Sequence, residues 1–363
     1  CEVAAMNLKT MKRSTKSNLI TFGIVIAFYI IIQLLSAGDF LTNSFSGQLV
    51  PICAYVILAV SLNLTVGILG ELSLGHAGFM SVGAFSGTLV WVTASNTMPS
   101  PLALLLSFVV GGLVAGLFGF LVGVPVLRLS GDYLAIVTLA FGEIVKNVMN
   151  ACYLGYDSNG LHFSLKDSAS LGLEEGGKVL INGAQGITGI SKASTFTVGI
   201  VLVLITLAVI LNLVHSRAGR AITSIRDNEI AARSVGIPIT KYKLMAFVTS
   251  AVFAGVAGVL YSLNYSSLVA KKFDYNTSIQ ILVFVVLGGI GNLRGSLIAA
   301  AVLTVLPEML RSMNDYRMLI YAIVLIVAMI FNQSPQMIAL RNKLTANFRN
   351  KKGAHTKQKK GVA

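Results

Sequence analysis

Charge is what this sequence has least of. Lys and Arg number 28 and Asp and Glu 14, together 12% of 363 residues, where soluble domains run near ~25%. With 55% hydrophobic residues and a mean hydropathy of +0.79, the chain cannot cover a globular surface of this size with polar groups. That surface faces lipid, which excludes a soluble enzyme, a disordered tail protein and a secreted disulfide scaffold. Cysteine is scarce too. Cys1, Cys53 and Cys152 have no metal or redox spacing, and Cys53 lies inside an apolar run, so all three read as inert thiols. Four histidines, His76, His162, His215 and His355, are scattered, and there is no HExxH, no Ser–His–Asp set and no GxxxxGK[ST] phosphate loop. No catalytic site, metal or cofactor is expected, and any ATP that drives this protein is bound elsewhere. The Leu19–Ala37 run has no small-x-small cleavage site and reads as a membrane span, not a signal peptide. Met6 or Met11 is the expected start.

What the chain does have is apolar runs. A span needs about 20 apolar residues to cross ~30 Å of hydrocarbon. Candidate segments are 19–37, 49–69, 75–95, 102–127, 133–151, 195–214, 244–264, 278–291, 296–310 and 317–333. The eighth and ninth are short and separated only by Asn292–Gly295, so nine spans is the alternative to ten.

The net charge of +14 decides between them. With the N-terminus inside, ten spans place 20 of the 28 basic residues inside. These are Lys9, Lys12, Arg13 and Lys16, then Arg128, six residues within 215–243, Arg294, and eight in the tail from Arg341 to Lys360. Nine spans would put that tail outside, against the positive-inside rule. No aromatic-interleaved basic motif accompanies the charge, so nucleic acid is not the partner; lipid is. The expected organisation is a basic cytoplasmic N-terminus (1–18), a transmembrane domain (19–333) and a basic cytoplasmic tail (334–363).

Ten spans divide into five plus five, and an odd half forces the second to run inverted, as in many transporters. The expected fold is therefore all-α: a polytopic membrane protein of about ten transmembrane helices in an inverted repeat. Glycine-rich interruptions at Gly67–Gly75 and Gly288–Gly295 echo one another weakly. Gly83xxxGly87, Gly112xxxGly116 and Gly119xxxGly123 set small residues on single helix faces, which suits close helix packing.

Two non-membrane pieces are long. Residues 152–194 lie outside and are too glycine-rich for an expected ordered core. Residues 215–243 lie inside and look structured. At 100° per residue, Ala221, Ile222, Ile225, Ala232 and Val235 share one face of a short helix, with Asn228 and Glu229 within that face, and Gly236 and Pro238 ending it. Such a helix either docks into a groove on a cytoplasmic partner or lies on the membrane surface.

Buried polar residues are the remaining signal. Asn63 sits in the second span and His76 just after the first glycine break. Glu143, Lys146 and Asn147 share a face of the fifth span. Glu143 either lines a path or is neutralised by Lys146 near the outer end. The breaks, with Gly75, Gly288, Gly289 and Gly291, either expose helix ends that offer N–H groups to a carboxylate and carbonyls to an ammonium, or are ordinary turns. The path is expected along the second, third, fifth and eighth segments.

These residues carry a resemblance. Ser61-Leu-Asn-Leu-Thr-Val-Gly67, Leu72-Ser-Leu-Gly-His-Ala-Gly-Phe-Met-Ser-Val-Gly-Ala84 and Leu127-Arg-Leu-Ser-Gly-Asp-Tyr-Leu-Ala-Ile-Val-Thr-Leu-Ala-Phe-Gly-Glu143 resemble the branched-chain amino acid ABC transporter permeases, on the LivM side of the LivM/LivH pair. Ile225–Gly236 and Leu287–Ser296 match too, in order along 49–333. The resemblance implies a second, LivH-type permease subunit, two cytoplasmic ATPases and an extracytoplasmic substrate-binding protein. It implies that 219–238 couples to the ATPases through Arg226, Asp227, Asn228, Glu229, Ala231, Ala232 and Gly236. Ala231, Ala232 and Gly236 fit the permease "EAA…G" loop; Ile230 stands where its Glu would be, with Glu229 one place earlier. Related permeases carry urea or other amino acids and amides, so the substrate is less settled than the class. The competing readings are an ion-coupled secondary transporter, which would lean on Glu143, and a passive channel; neither gives 215–243 a task.

Overall fold

The computed structural model describes residues 13–38, 43–95, 97–127, 133–157, 160–173, 177–310 and 316–333. Lys9, Lys12, Arg128 and the tail 334–363 lie outside them. Twelve α-helices are present among the described residues. Ten follow the ten apolar segments: α1 (Arg13–Ala37), α2 (Asn43–Asn63), α3 (His76–Ala94), α4 (Ser100–Val126), α5 (Tyr133–Ala151), α6 (Phe196–His215), α9 (Ile239–Ser262), α10 (Tyr275–Gly288), α11 (Leu293–Met309) and α12 (Arg317–Gln333). The short helices α7 (Arg217–Asp227) and α8 (Glu229–Ser234) fill the gap between α6 and α9. Among the described residues seven helices, α1 to α6 and α9, are long and apolar enough to cross a membrane. The eighth and ninth apolar segments are two helices, because Gly289 and Gly291 between them adopt φ of 94° and 80°, where L side chains are strained. The chain divides into two compact units, Cys1–Val305 and Leu306–Ala363; the second holds the end of α11 and α12.

Glycine spacing explains the packing of the first unit. Gly83 of α3 abuts the backbone of Gly255 in α9, and Gly87 and Gly111 abut Val259. Along α4, Gly112 and Gly116 meet Val252, Gly119 meets Ala251, and Gly123 meets Leu244 and Phe247. All three GxxxG pairs thus serve one purpose: they seat α3 and α4 on α9, where contact through small residues replaces the hydrophobic drive that lipid removes. α2 is buried along almost its whole length. By contrast α1 exposes the apolar side chains Ile20, Ile24, Ile30, Ile31 and Leu34.

Residues 152–194 are more ordered than expected. Strands β1 (Tyr153–Asp157), β2 (Gly160–Ser164) and β3 (Lys178–Asn182) form an antiparallel sheet in the order β2-β1-β3, with a bulge at Leu154/Gly155. β4 (Ile187–Thr188) pairs with β5 (Ser267–Leu268). Leu171, Ile181, Ile187 and Ile190 supply a small buried core. Several glycines that argued against order are turn residues instead: Gly160, Gly172, Gly183, Gly186 and Gly189 all have positive φ.

Contacts sort the connections into two ends. Trp91 Nε1 donates to Ser191 O (3.1 Å), and β4 pairs with β5, so the connections after α3, α5 and α9 share one end. Arg294 Nε donates to Thr21 Oγ1 (2.6 Å) and Arg226 Nη1 to Gly67 O (3.1 Å), which gathers the start of α1 and the connections after α2, α6 and α10 at the other.

Candidate functional site

The two glycine breaks meet. α2 ends at Asn63 and continues as a π-helical turn, Leu64–Leu69, closed by Gly70 in the left-handed region (φ 84°). The second break, Gly289–Asn292, lies against it. Gly291 N–H donates to Asn63 Oδ1 (2.8 Å), and Asn63 Nδ2 donates to Ser296 Oγ (2.8 Å). Asn63 is fully buried. Gly67 makes the approach possible, since a Cβ there would lie 2.7 Å from Gly291 Cα and closer still to Gly291 N and Asn63 Oδ1. Gly288 and Gly295 pack backbone to backbone and close the α10–α11 corner. α10 has 14 residues and so rises about 21 Å, short of ~30 Å of hydrocarbon. Irregular backbone at membrane depth must be served by protein or water, and Asn63 serves it here. Beside the junction opens a cavity of about 340 Å³, lined by Thr21, Ile68, Arg226, Gly291, Asn292 and Arg294 among others.

The start of α3 is also served by side chains. Leu74 N–H donates to Thr138 Oγ1 (3.1 Å) and Ala77 N–H to Ser278 Oγ (3.1 Å). Gly75 lets the α5 backbone at Thr138 come close. His76 Nε2 lies 2.9 Å from Ser61 Oγ, whose hydroxyl donates to Leu58 O (3.0 Å), so His76 is the donor. Glu143 is elsewhere. It pairs with Lys146 and accepts from Tyr275 N (3.3 Å) at the far end of α10 from Gly288. Asn63, Gly288, Gly289 and Gly291 are thus brought together, His76 reaches α2 at Ser61 beside them, Gly75 packs against Thr138 on α5, and Glu143 stands apart. At its end, Asp274 caps α10 and accepts from Thr277 N–H (3.0 Å). Burial alone would raise the Asp274 carboxyl, but the bonds from Thr277 and Asn276 and the charge of Lys146 outweigh it and hold it below the ordinary value.

The 215–243 segment joins the junction. The single expected helix is two, because Asn228 is extended (φ −160°, ψ 103°) and its Oδ1 accepts from Ala231 N (2.9 Å), capping α8. That break resets the face. Ile225 and Ala232 bury against Ile239 with Ile237 and Tyr242, and Ile222 is buried as expected, but Val235 is 76% exposed and Ile230 83%. Gly236 (φ 83°) turns the chain out of α8 toward α9. Arg226 pairs with Asp227 (2.8 Å) while holding Gly67 O. Glu229 pairs with Arg233 (3.1 Å) and Lys243 (2.9 Å), and Lys243 also reaches Glu71 (2.5 Å). Glu71, Lys243, Ser61, Thr138, Ser278 and Ser296 are functional candidates that sequence reasoning missed. Only Glu71 left a signal, an acidic residue inside a glycine break.

The family described as branched-chain amino acid transport system / permease component matches residues 44–329. The high-affinity branched-chain amino acid transport system permease protein LivM of Salmonella typhimurium is 36% identical over 312 residues, 82% of this chain and 71% of that protein. LivM of Escherichia coli is 36% identical over 287 residues, 76% of this chain and 66% of that protein. The L-arabinose ABC transporter permease protein AraH of Azospirillum brasilense is 26% identical over 86% of this chain and 87% of its own. This chain is a multi-pass membrane protein, and it belongs to the family of branched-chain amino acid transport system permease components.

Proposed function

We propose that this chain is the membrane-spanning permease subunit of an ATP-driven importer that moves leucine, isoleucine and valine inward. It works with a second, LivH-type permease, two ATPases and an extracytoplasmic binding protein. The observation that carries this reading is the α7–α8 segment. It packs through Ile225 and Ala232 against Ile239 of α9 on one side and presents Ile230 and Val235 on the other, bare apolar side chains near Arg233. An ATPase partner would cover them. The proposal places this end and both termini in the cytoplasm, following the positive-inside rule, and the β-sheet outside. It includes the inverted five-plus-five arrangement, in which α2 and α9 are counterparts; the two pack together.

The translocation path in this proposal runs by the junction of the two breaks. Asn63, Gly75, His76, Gly288, Gly289 and Gly291 shape it, and Glu143 holds its outer end through α10. The cavity beside Gly291 has Arg226 and Arg294 in its wall, where they already hold Asp227, Gly67 O and Thr21. The test is uptake in vesicles holding the complete complex, with leucine, isoleucine, valine, aromatic amino acids, urea and arabinose in competition. Leucine uptake that needs ATP and the binding protein supports the reading; ATP-independent uptake, or arabinose as the favoured cargo, refutes it. Ile230→Glu should strip the ATPases from the purified complex, and their full retention would refute the docking assignment.

A further inference from the structure

Lys243 carries its charge into the protein. Its side chain is 5% exposed, and its ammonium sits between two carboxylates from different elements. Glu229, the first residue of α8, is on one side at 2.9 Å; Glu71, in the break after α2, is on the other at 2.5 Å. Glu71 is in turn fastened to the π-helical turn, because its N–H donates to Thr65 O (3.1 Å). Arg233 on Glu229 completes a set of two anions and two cations. A second strut runs in parallel, from Arg226 to the carbonyl of Gly67 in the same turn. Both struts start in α7–α8, and both end on Leu64–Leu69. That turn lies against Gly291 and is anchored at its head by Asn63.

An apolar contact would hold these elements together as well, since buried ion pairs are poor evidence for stability. What ions and oriented hydrogen bonds add is direction: they fix which atom of α8 follows which atom of the turn. π-helical turns occur mostly as single-turn bulges inside α-helices, frequently at functional sites. A small displacement of α8 therefore reaches the turn without being absorbed by side-chain repacking. From the turn it passes through Asn63 to the α10–α11 corner.

We propose that Glu71 and Lys243 are positioning residues for coupling: the Glu229–Lys243–Glu71 relay converts movement of α7–α8 into movement of the π-helical turn and the junction. This rests on the reading of α7–α8 as the ATPase-docking segment. The experiment measures ATP hydrolysis and radiolabelled leucine uptake in the same vesicles, which hold the complete complex with Glu71→Gln or Lys243→Met. Neither residue is placed at the docking surface, so complex composition and basal ATP hydrolysis stay near wild type. The ATP consumed per leucine moved rises by about tenfold or more, within the range of coupling between distant sites. Glu71→Asp, which keeps the charge, restores part of the ratio. If Lys243→Met does not insert, Glu71→Gln carries the test, because Glu71 is 19% exposed and its amide is isosteric. Hydrolysis and uptake that fall together at an unchanged ratio overturn the proposal, because a merely structural role lowers both. Leucine uptake by the wild type without ATP overturns the permease reading beneath it, so the two failures are told apart.

Discussion

Gly67→Ala tests the junction at its tightest point. The new Cβ would lie 2.7 Å from Gly291 Cα, where carbon atoms settle at about 3.5–4.0 Å. Gly291 must therefore recede by about 1 Å. Its bond to Asn63 Oδ1 is now 2.8 Å, so the same movement carries it beyond ~3.5 Å, where it no longer counts as a hydrogen bond. The loss is about 1 kcal/mol for the bond and about 1–3 kcal/mol for overpacking against backbone. Alanine recovers up to about 1 kcal/mol through its better helix propensity, because Gly67 lies within a helical turn and is not among the positive-φ glycines. The net is a destabilisation of about 1–3 kcal/mol. The thermal midpoint of the purified protein should fall, and leucine uptake should fall with it. Asn63→Ala removes the same bond and empties space beside residue 67. The double variant should therefore be less damaged than the two single losses combined, by about 1 kcal/mol. An unchanged midpoint in Gly67→Ala, or strict additivity with Asn63→Ala, would refute the claim that the breaks are locked through this contact.

Gly83→Ala should weaken the α3–α9 seat, since its Cβ would meet Gly255 O at 2.5 Å; a thermal midpoint equal to wild type would contradict that packing. The Asp274 carboxyl is held below its ordinary value, so its cap stabilises the start of α10 above about pH 4 and is lost as the pH falls further. The stability gap between wild type and Asp274→Asn should accordingly narrow between neutral pH and about pH 3, and a gap that widens on acidification would have the sign wrong. Cysteine placed at Ser168, on the β-sheet connection, and at Ser234, in α8, should react with impermeant reagents from opposite sides of the membrane. Labelling from one side would overturn the topology.

The helices were legible because lipid demands long apolar runs: each of the ten runs became a helix with ends shifted by a few residues, and seven of them, among the described residues, are long and apolar enough to cross a membrane. Two local readings missed for identifiable reasons. The strands of 152–194 are short, and their glycines suggest a loop until the turns between strands are known. Helical projection carried Val235 onto the buried face because it assumes one unbroken helix, and it cannot weigh an Asn side chain that competes with the backbone at 228. Asn63 and Gly291 were both legible as oddities, a buried amide and a glycine in a break. Their meeting was not, since they are 228 positions apart. The same holds for Glu71 and Lys243, 172 apart. Sequence marks a residue that needs a partner, but pairing is a property of the packed chain.

The arrangement of partners says more than the residues alone. A helix interrupted at membrane depth leaves backbone groups that lipid cannot satisfy. Here each interruption is repaired from elsewhere: the amide of Gly291 by Asn63 on α2, the carbonyl of Gly67 by Arg226 on α7, and the amides before and within α3 by Thr138 and Ser278. A repair made within one helix would be permanent. A repair lent by another element lasts only while that element stays in place, so its position biases the geometry of the break. The α7–α8 segment holds one of these repairs, through Arg226, and a side-chain attachment through Glu229 to Lys243 on α9, while its own outer side chains Ile230 and Val235 are bare. The segment with bare apolar side chains is therefore also one on which the first interrupted helix depends for a backbone contact, the carbonyl of Gly67.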